Sequence, residues 1–179
     1  MKSFSFIFLY LISVYFKIEI QNNQNNINEF ERRLGKEKVE SLNLLVSDFE
    51  EKLQKLYPKL SIEEAYKQCL TEIKNDSFDW SNFNFQTDST HQKYLESGLR
   101  NDLYSHDPES GMQINRLGDY MKALYHIKSN ADKLTNEYYE DREMAGVLQN
   151  KLFAAIILQN DPDFKNYFHK RFVVVEFSY

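Results

Sequence analysis

The chain has 179 residues, a formal net charge of −5 and a single cysteine, Cys69. Its length is enough for one domain whose core needs neither a metal nor a disulfide, and one cysteine excludes an intramolecular disulfide. The acidic balance disfavours a nucleic acid partner, because negative charges repel a phosphate backbone. We expect Cys69 to be a small buried residue of a helix and not a reactive thiol.

The first twenty residues are the most distinctive segment. Met1 and Lys2 precede an uncharged, mostly apolar run over residues 3–16. This pattern is typical of an export signal, and the run is short for a membrane-spanning helix, which needs about 20 apolar residues. We therefore expect an exported protein: periplasmic, secreted or membrane-anchored. Because no A-x-A cleavage motif stands near Phe16, three alternatives stay open: cleavage, membrane attachment through residues 1–20, or burial of the run in the core.

The rest of the chain has a helical pattern. Residues 21–26 are Asn and Gln only, which predicts a polar linker. Apolar residues in 27–179 recur mostly at helical spacing. We therefore predict a mainly α, single-domain body over 27–179, bundle-like with five or six helices, and with a short C-terminal strand as an open alternative.

The first helices of this body are well marked. A short helix is expected to stop at Gly35. The clearest period in the chain predicts a helix over 36–57, ended by Pro58, from the apolar residues Val39, Leu42, Val46, Phe49, Leu53 and Leu56. A Ser-x-x-Glu capping box at Ser61 begins a third helix.

The pattern weakens in the second half of the chain. Four elements are expected in turn: an aromatic loop over 76–90, a helix over 89–104, a turn over 105–111 and a helix over 114–129. A further helix over 134–156 is expected to be interrupted at Gly146.

The last segment has two interpretations. Asp161 and Pro162 predict the start of a short helix. The valine-rich composition of 172–177 favours a strand, which would need a partner because an isolated edge exposes unpaired backbone groups. A helix that continues from Pro162 through Val175 is the alternative.

Two clusters are candidates for partner binding. Trp80, Phe83 and Phe85 lie in the expected aromatic loop, and Tyr138 and Tyr139 begin a charged stretch. Tyrosine and tryptophan are common anchors of recognition surfaces. The structural alternatives are that the loop closes one end of the bundle and that the second stretch is an exposed turn.

No catalytic or metal-binding motif is recognisable in the sequence. The four histidines fit neither H-E-x-x-H nor E-x-x-H, no C-x-x-C pair is present, and no nucleophile elbow or phosphate-binding glycine loop is found. We expect no metal, no cofactor and no catalytic residue. An enzyme with an unrecognised site would use a set such as His106, His126, Asp119 and Arg142.

The layout of the chain resembles small exported bacterial proteins of uncharacterised families. The resemblance is carried by the short apolar leader, the helical body and the closing segment HKRFVVVEF from His169 to Phe177. It implies export, and it brings no activity, cofactor or catalytic residue with it.

These observations favour a non-catalytic binding module of the cell envelope. Its partner would be an unknown protein or extracellular ligand, met by the loop around Trp80. An immunity-type protein that neutralises an envelope-acting toxin is an alternative, because an acidic surface speeds capture of a basic target. An enzyme whose site is not recognisable from the sequence is the third hypothesis.

Overall fold

The computed structural model describes residues 21–109 and 111–179. This part of the chain holds nine α-helices, two short 3-10 segments and one hairpin, so the prediction of a mainly α single domain is confirmed. The export signal or membrane anchor expected over residues 1–20 lies outside the described residues. Within the described ranges, no helix is both long enough and apolar enough to cross a membrane.

The helices are numbered in chain order. Their bounds are α1 (21–34), α2 (Lys36–Leu56), α3 (Ile62–Lys74), α4 (Asp88–Glu96), α5 (Leu99–Leu103), α6 (Asp119–Ile127), α7 (Lys133–Ala145), α8 (Asn150–Gln159) and α9 (Tyr167–Glu176). The 3-10 segments are Trp80–Asn82 and Lys128–Asn130. Between α5 and α6, the strands β1 (Tyr104–Asp107) and β2 (Gly111–Ile114) pair antiparallel.

The best-marked sequence signals are confirmed. The helix predicted over 36–57 is α2, and α3 begins with the Ser61 capping box, in which the Ser61 hydroxyl accepts the backbone N–H of Glu64. Cys69 is buried on the inner side of α3. Burial raises the pKa of its thiol, which keeps the sulfur protonated and unreactive.

Helix α9 lies at the centre of the molecule. Every residue from Arg171 to Glu176 is buried, and α2 and α7 both pack against it. Tyr138 of α7 stacks on Phe172 with ring centroids 3.8 Å apart, and Phe30 of α1 meets Phe168 edge-to-face at 5.4 Å. The core is therefore built around the last helix of the chain.

The strand expected over 172–177 is wrong, and the helical alternative is correct for the part from Tyr167 to Val175. The segment is buried on all sides, where a lone strand would leave its backbone groups without partners, whereas a helix pairs them internally. Valine composition was a weak guide, because strand propensity depends strongly on context.

Helix α9 also begins later than Asp161 and Pro162 predict. Asp161 has a φ of 44°, in the left-handed region, so the chain turns there and does not enter a helix. The cap is Asn166, whose side-chain oxygen accepts the backbone N–H of Phe168 at 2.8 Å. Helix formation starts where that oxygen satisfies a free donor of the first turn.

Residues 21–26, expected as a polar linker, are helical and continuous with the rest of α1. The amide of Gln21 donates to Asn25 at 3.1 Å, and that of Gln24 donates to Asn28 at 2.9 Å. Asn26 is buried and its amide donates to the backbone oxygen of Asn130 at 2.9 Å. Polar composition therefore does not make this segment an extended tether.

Two glycine breaks account for part of the difference between the nine helices of the described residues and the five or six predicted. Gly98, with φ 74°, divides the helix expected over 89–104 into α4 and α5. Gly146, with φ 75°, ends α7, so the interruption expected there is confirmed. Both conformations are easily adopted only by glycine. The turn expected over 105–111 is wrong for most of its length: residues 105–107 belong to β1 and Gly111 begins β2, and Tyr104 lies opposite Ile114 in this hairpin.

Candidate functional site

The largest buried polar group belongs to Arg142 of α7. Its guanidinium pairs with the carboxylate of Glu176 and donates to the Tyr138 hydroxyl at 2.9 Å. The same hydroxyl donates to Glu176 at 2.9 Å. The rings of Tyr104, Tyr120 and Tyr138 surround the guanidinium with centroids 5.5 to 5.6 Å away.

This arrangement is structural. Burial is the largest single effect and would lower the pKa of Arg142, but the combined attraction of Glu176 and the surrounding tyrosines outweighs it and raises the pKa well above the usual value. The guanidinium therefore stays charged and cannot exchange protons. The cavity beside it, lined by residues of α7 and α8, measures about 10 Å³, which is room for one water at most.

His169 is also occupied by internal bonds. Its Nδ1 accepts the backbone N–H of Asp163 at 3.0 Å, so Nε2 carries the hydrogen and donates to Asp132 at 3.0 Å. Asp132 in turn caps α7 by accepting the backbone N–H of Thr135. With both nitrogens bonded, this imidazole joins α9 to α7 and is not available as a base.

The residues named for an unrecognised enzyme are not brought together. His106 is exposed on β1 and His126 is exposed on α6, whereas Arg142 is buried. Asp119 pairs with Lys38 at 2.7 Å. No hydrogen bond or ion pair within the described residues joins any two of these four. No metal-binding group of three or more His, Cys, Asp or Glu residues occurs in residues 21–109 and 111–179.

The aromatic loop closes one end of the core. Phe85 is buried against Phe49, with ring centroids 5.1 Å apart, and Phe83 is half-buried against the same ring at 5.7 Å. Trp80 meets Phe83 and Phe177 edge-to-face and keeps 45% of its surface exposed. Phe85 therefore cannot present its ring to a partner, and Trp80 is the accessible member of this group.

In the second predicted pair, Tyr138 and Tyr139, one ring is likewise buried and the other is partly exposed. Tyr138 is buried in the contact with Phe172 and Arg142, so its ring does not lie on the surface. Tyr139, the next residue, is half-buried at the edge of the core.

Tyr139 belongs to an exposed surface that we call the α6–α7 face, comprising Leu117, Tyr125, Tyr139 and Met144. Leu117, Met144 and Tyr125 are the most exposed large apolar side chains in the described residues, at 80%, 74% and 56%. The side chain of Arg116 donates to the backbone oxygen of Glu143 at 2.7 Å, which brings the start of α6 beside the end of α7. Apolar surface concentrated in this way is typical of an interaction site.

The ammonium of Lys128 lies over the rings of both tyrosines of this face. The Nζ atom of Lys128 is 4.6 Å from the ring centroid of Tyr139 and 5.5 Å from that of Tyr125. The two ring centroids are 5.9 Å apart, with an angle of 52° between the rings. The carboxylate of Glu140 is 3.8 Å from the same Nζ. We call Tyr125 and Tyr139 the tyrosine clamp.

The clamp has an acidic environment. Burial raises the pKa of Tyr139, and the charge of Glu143 raises it further. Glu140 lies on the same helix and pairs with Lys128. A group that lies over the rings in the place of Lys128 therefore meets negative charge beside aromatic faces.

Sequence reasoning missed most of this surface. Tyr125 and Lys128 are three residues apart, a spacing that allows contact at the end of a helix. The approach of Tyr139 depends on how α7 packs against α6, and no local pattern carries that information.

Comparisons with protein-family models, with curated proteins and with solved structures find no match.

Proposed function

We propose that the protein is a non-catalytic binding module of the cell envelope, exported through residues 1–20, and that a partner protein docks on the α6–α7 face. The observation that carries the proposal is the exposure of Leu117, Tyr125 and Met144, the most exposed large apolar side chains of the described residues, on α6 and on the segments that the bond from Arg116 to Glu143 joins. Aromatic residues and methionine are enriched in protein interfaces.

The polar chemistry supports binding over catalysis. Arg142 and Glu176 neutralise each other in the core, and both nitrogens of His169 are bonded. A catalytic base must reach a substrate proton, and a nucleophile needs an adjacent base. These groups instead hold helices together.

Site-specific photo-crosslinking in the producing cells tests the docking surface. A benzophenone amino acid replaces Met144 on the α6–α7 face, Trp80 on the aromatic loop, or Leu95, a control on α4 that is 47% exposed. We expect one adduct of defined mass from position 144 and none from position 95. Adding Leu117→Glu to the position-144 variant should abolish the adduct, because a charge would be buried in the interface.

Two results would contradict the docking surface. Equal adducts from positions 144 and 95, or none from position 144, would remove the α6–α7 face as an interface. An adduct from position 80 alone would transfer the interface to the Trp80 loop, as the sequence first suggested.

An immunity-type protein that captures a basic toxin is the second candidate function. The acidic residues of α7 favour it: Glu137, Glu140, Asp141 and Glu143. Electrostatic capture would give an association rate that falls steeply with added salt. An association rate with the crosslinked partner that does not change with salt would exclude electrostatic capture of a basic toxin.

Cell fractionation with intact-mass analysis tests export. A soluble envelope species that lacks about twenty N-terminal residues, the usual length of a removed signal, would support secretion. A full-length species in the membrane would support an anchor. A full-length species in the cytosol would contradict export.

A further inference from the structure

Building on the proposed binding function, we propose that the tyrosine clamp receives a basic side chain of the partner, a lysine or an arginine, and that Lys128 occupies the clamp until the partner displaces it. The juxtaposition that supports this is a cation that lies over the rings of both Tyr125 and Tyr139, beside Glu140.

The geometry of the clamp is suited to a cation. A lysine or arginine group is attracted to the face of an aromatic ring when it lies within about 6 Å of the centroid. Both distances from the Lys128 Nζ fall inside this limit, at 4.6 and 5.5 Å. The rings are tilted at 52° with centroids 5.9 Å apart, so a single ammonium lies near both without entering between them.

The bound lysine can leave without disturbing the core. Lys128 lies in the short 3-10 segment after α6, and 28% of its side chain is exposed. Its four-carbon stem is flexible, so its ammonium can return to water while another cation takes its place. When the partner's cation replaces the Lys128 ammonium, the positive charge over the rings is unchanged, and Glu140 keeps a counter-ion.

Charge complementarity selects the partner's chemistry. Glu140 and Glu143 border the clamp, and the chain as a whole carries a net charge of −5. An acidic or neutral segment would have to displace Lys128 and leave Glu140 without a counter-ion. A basic segment with apolar neighbours would instead satisfy Glu140 and cover Leu117 and Met144, which are exposed beside the clamp.

The test is a titration of the full chain with a small cation. Tetramethylammonium chloride is added to protein carrying ¹³C-labelled tyrosine rings, and the Tyr125 and Tyr139 signals are assigned with single phenylalanine variants. The neutral control is tert-butanol, which has a similar shape, and sodium chloride keeps the ionic strength constant. We expect the cation, and not the alcohol, to shift both signals.

The variant Lys128→Met sharpens the test. It keeps an unbranched apolar stem and removes the internal competitor, so we expect about tenfold tighter binding of tetramethylammonium than in the wild type. Tyr139→Leu should abolish the response in either background. Equal responses to the cation and the alcohol, or no gain in the affinity of Lys128→Met for tetramethylammonium, would overturn the proposal that the tyrosine clamp binds a cation.

The two proposals fail separately. Crosslinking at position 144 without cation binding would support the docking of a partner on the α6–α7 face and would contradict the proposal that the tyrosine clamp binds a basic side chain. Cation binding without crosslinking would leave the clamp chemistry and remove the docking of a protein on this face.

Discussion

Arg142 and Glu176 each lose their contact with water in the fold and depend on each other for compensation. Both side chains are almost completely buried, and Tyr138 bonds to both. Removing one member of a buried pair leaves an uncompensated charge in the core, at a cost of about 3–5 kcal/mol. We expect Glu176→Gln to lower the free energy of unfolding by about 3 kcal/mol, measured by urea denaturation.

The double variant Arg142→Met/Glu176→Gln is the control. It removes the stranded charge, so it should be more stable than the sum of the two single losses predicts. Strict additivity of the two losses would show that the charges are not coupled, contrary to the geometry.

Residue-level prediction succeeded where a side chain follows the helical period. Cys69 lies on the apolar side of α3 in both the sequence pattern and the structure. Tyr138 lies four residues after Leu134, on the apolar side of α7, so its burial could have been inferred. Tyr139 is out of phase with that stripe and is only half-buried. The position of Lys128 over two rings could not be inferred, because it needs the packing of α6 against α7.

At the scale of elements, α9 is the helix that the hydrophobic pattern of the sequence could not predict. A helix buried on all sides has no polar face, and so it has no amphipathic period to recognise. Its valines then suggested a strand. Elements with one solvent face, such as α2, could be predicted almost to the residue, because Leu42, Phe49 and Leu53 mark the buried side.

The contact between α7 and α9 should make stability depend on pH. Burial raises the pKa of Asp132, but the bonds from His169 and Thr135 outweigh it and lower the pKa to about 2. The unfolded value is about 3.9, so the carboxylate stabilises the fold above about pH 4 and loses this effect as the pH falls towards 2. Acid unfolding of the wild type should therefore steepen over this interval.

The variant Asp132→Asn isolates this group, because asparagine is an equally good helix cap but does not titrate. We expect it to be less stable than the wild type by about 1 kcal/mol at pH 5, a value reduced by solvent screening at this partly exposed site. The gap should close between pH 4 and pH 2, as measured by urea denaturation at each pH. A gap that stays constant with pH would contradict the stabilisation of the ionised Asp132 carboxylate by the bonds from His169 and Thr135.

For the molecule as a whole, the residues after α9 connect elements that are distant in the chain. Phe177 stacks on Phe49 of α2, meets Phe153 of α8 edge-to-face and touches Trp80 of the aromatic loop. Gln86 donates to the backbone oxygen of Ser178 at 3.1 Å, which adds a polar link to the same loop. The end of α9 therefore joins three elements that have no sequence proximity.

This connection predicts a large effect from one ring. Phe177→Ala should lower the free energy of unfolding by about 3–5 kcal/mol, because the cavity is enclosed by elements that cannot all collapse into it. Trp80 is the sole tryptophan of the chain, so its fluorescence should shift to longer wavelength as its contact with Phe177 is lost. Tyr179→Ala is the control: Tyr179 is 47% exposed, and we expect a loss below about 1 kcal/mol. Similar small losses in both variants would mean that the aromatic loop and α8 are held by other contacts, and that Phe177 does not join them.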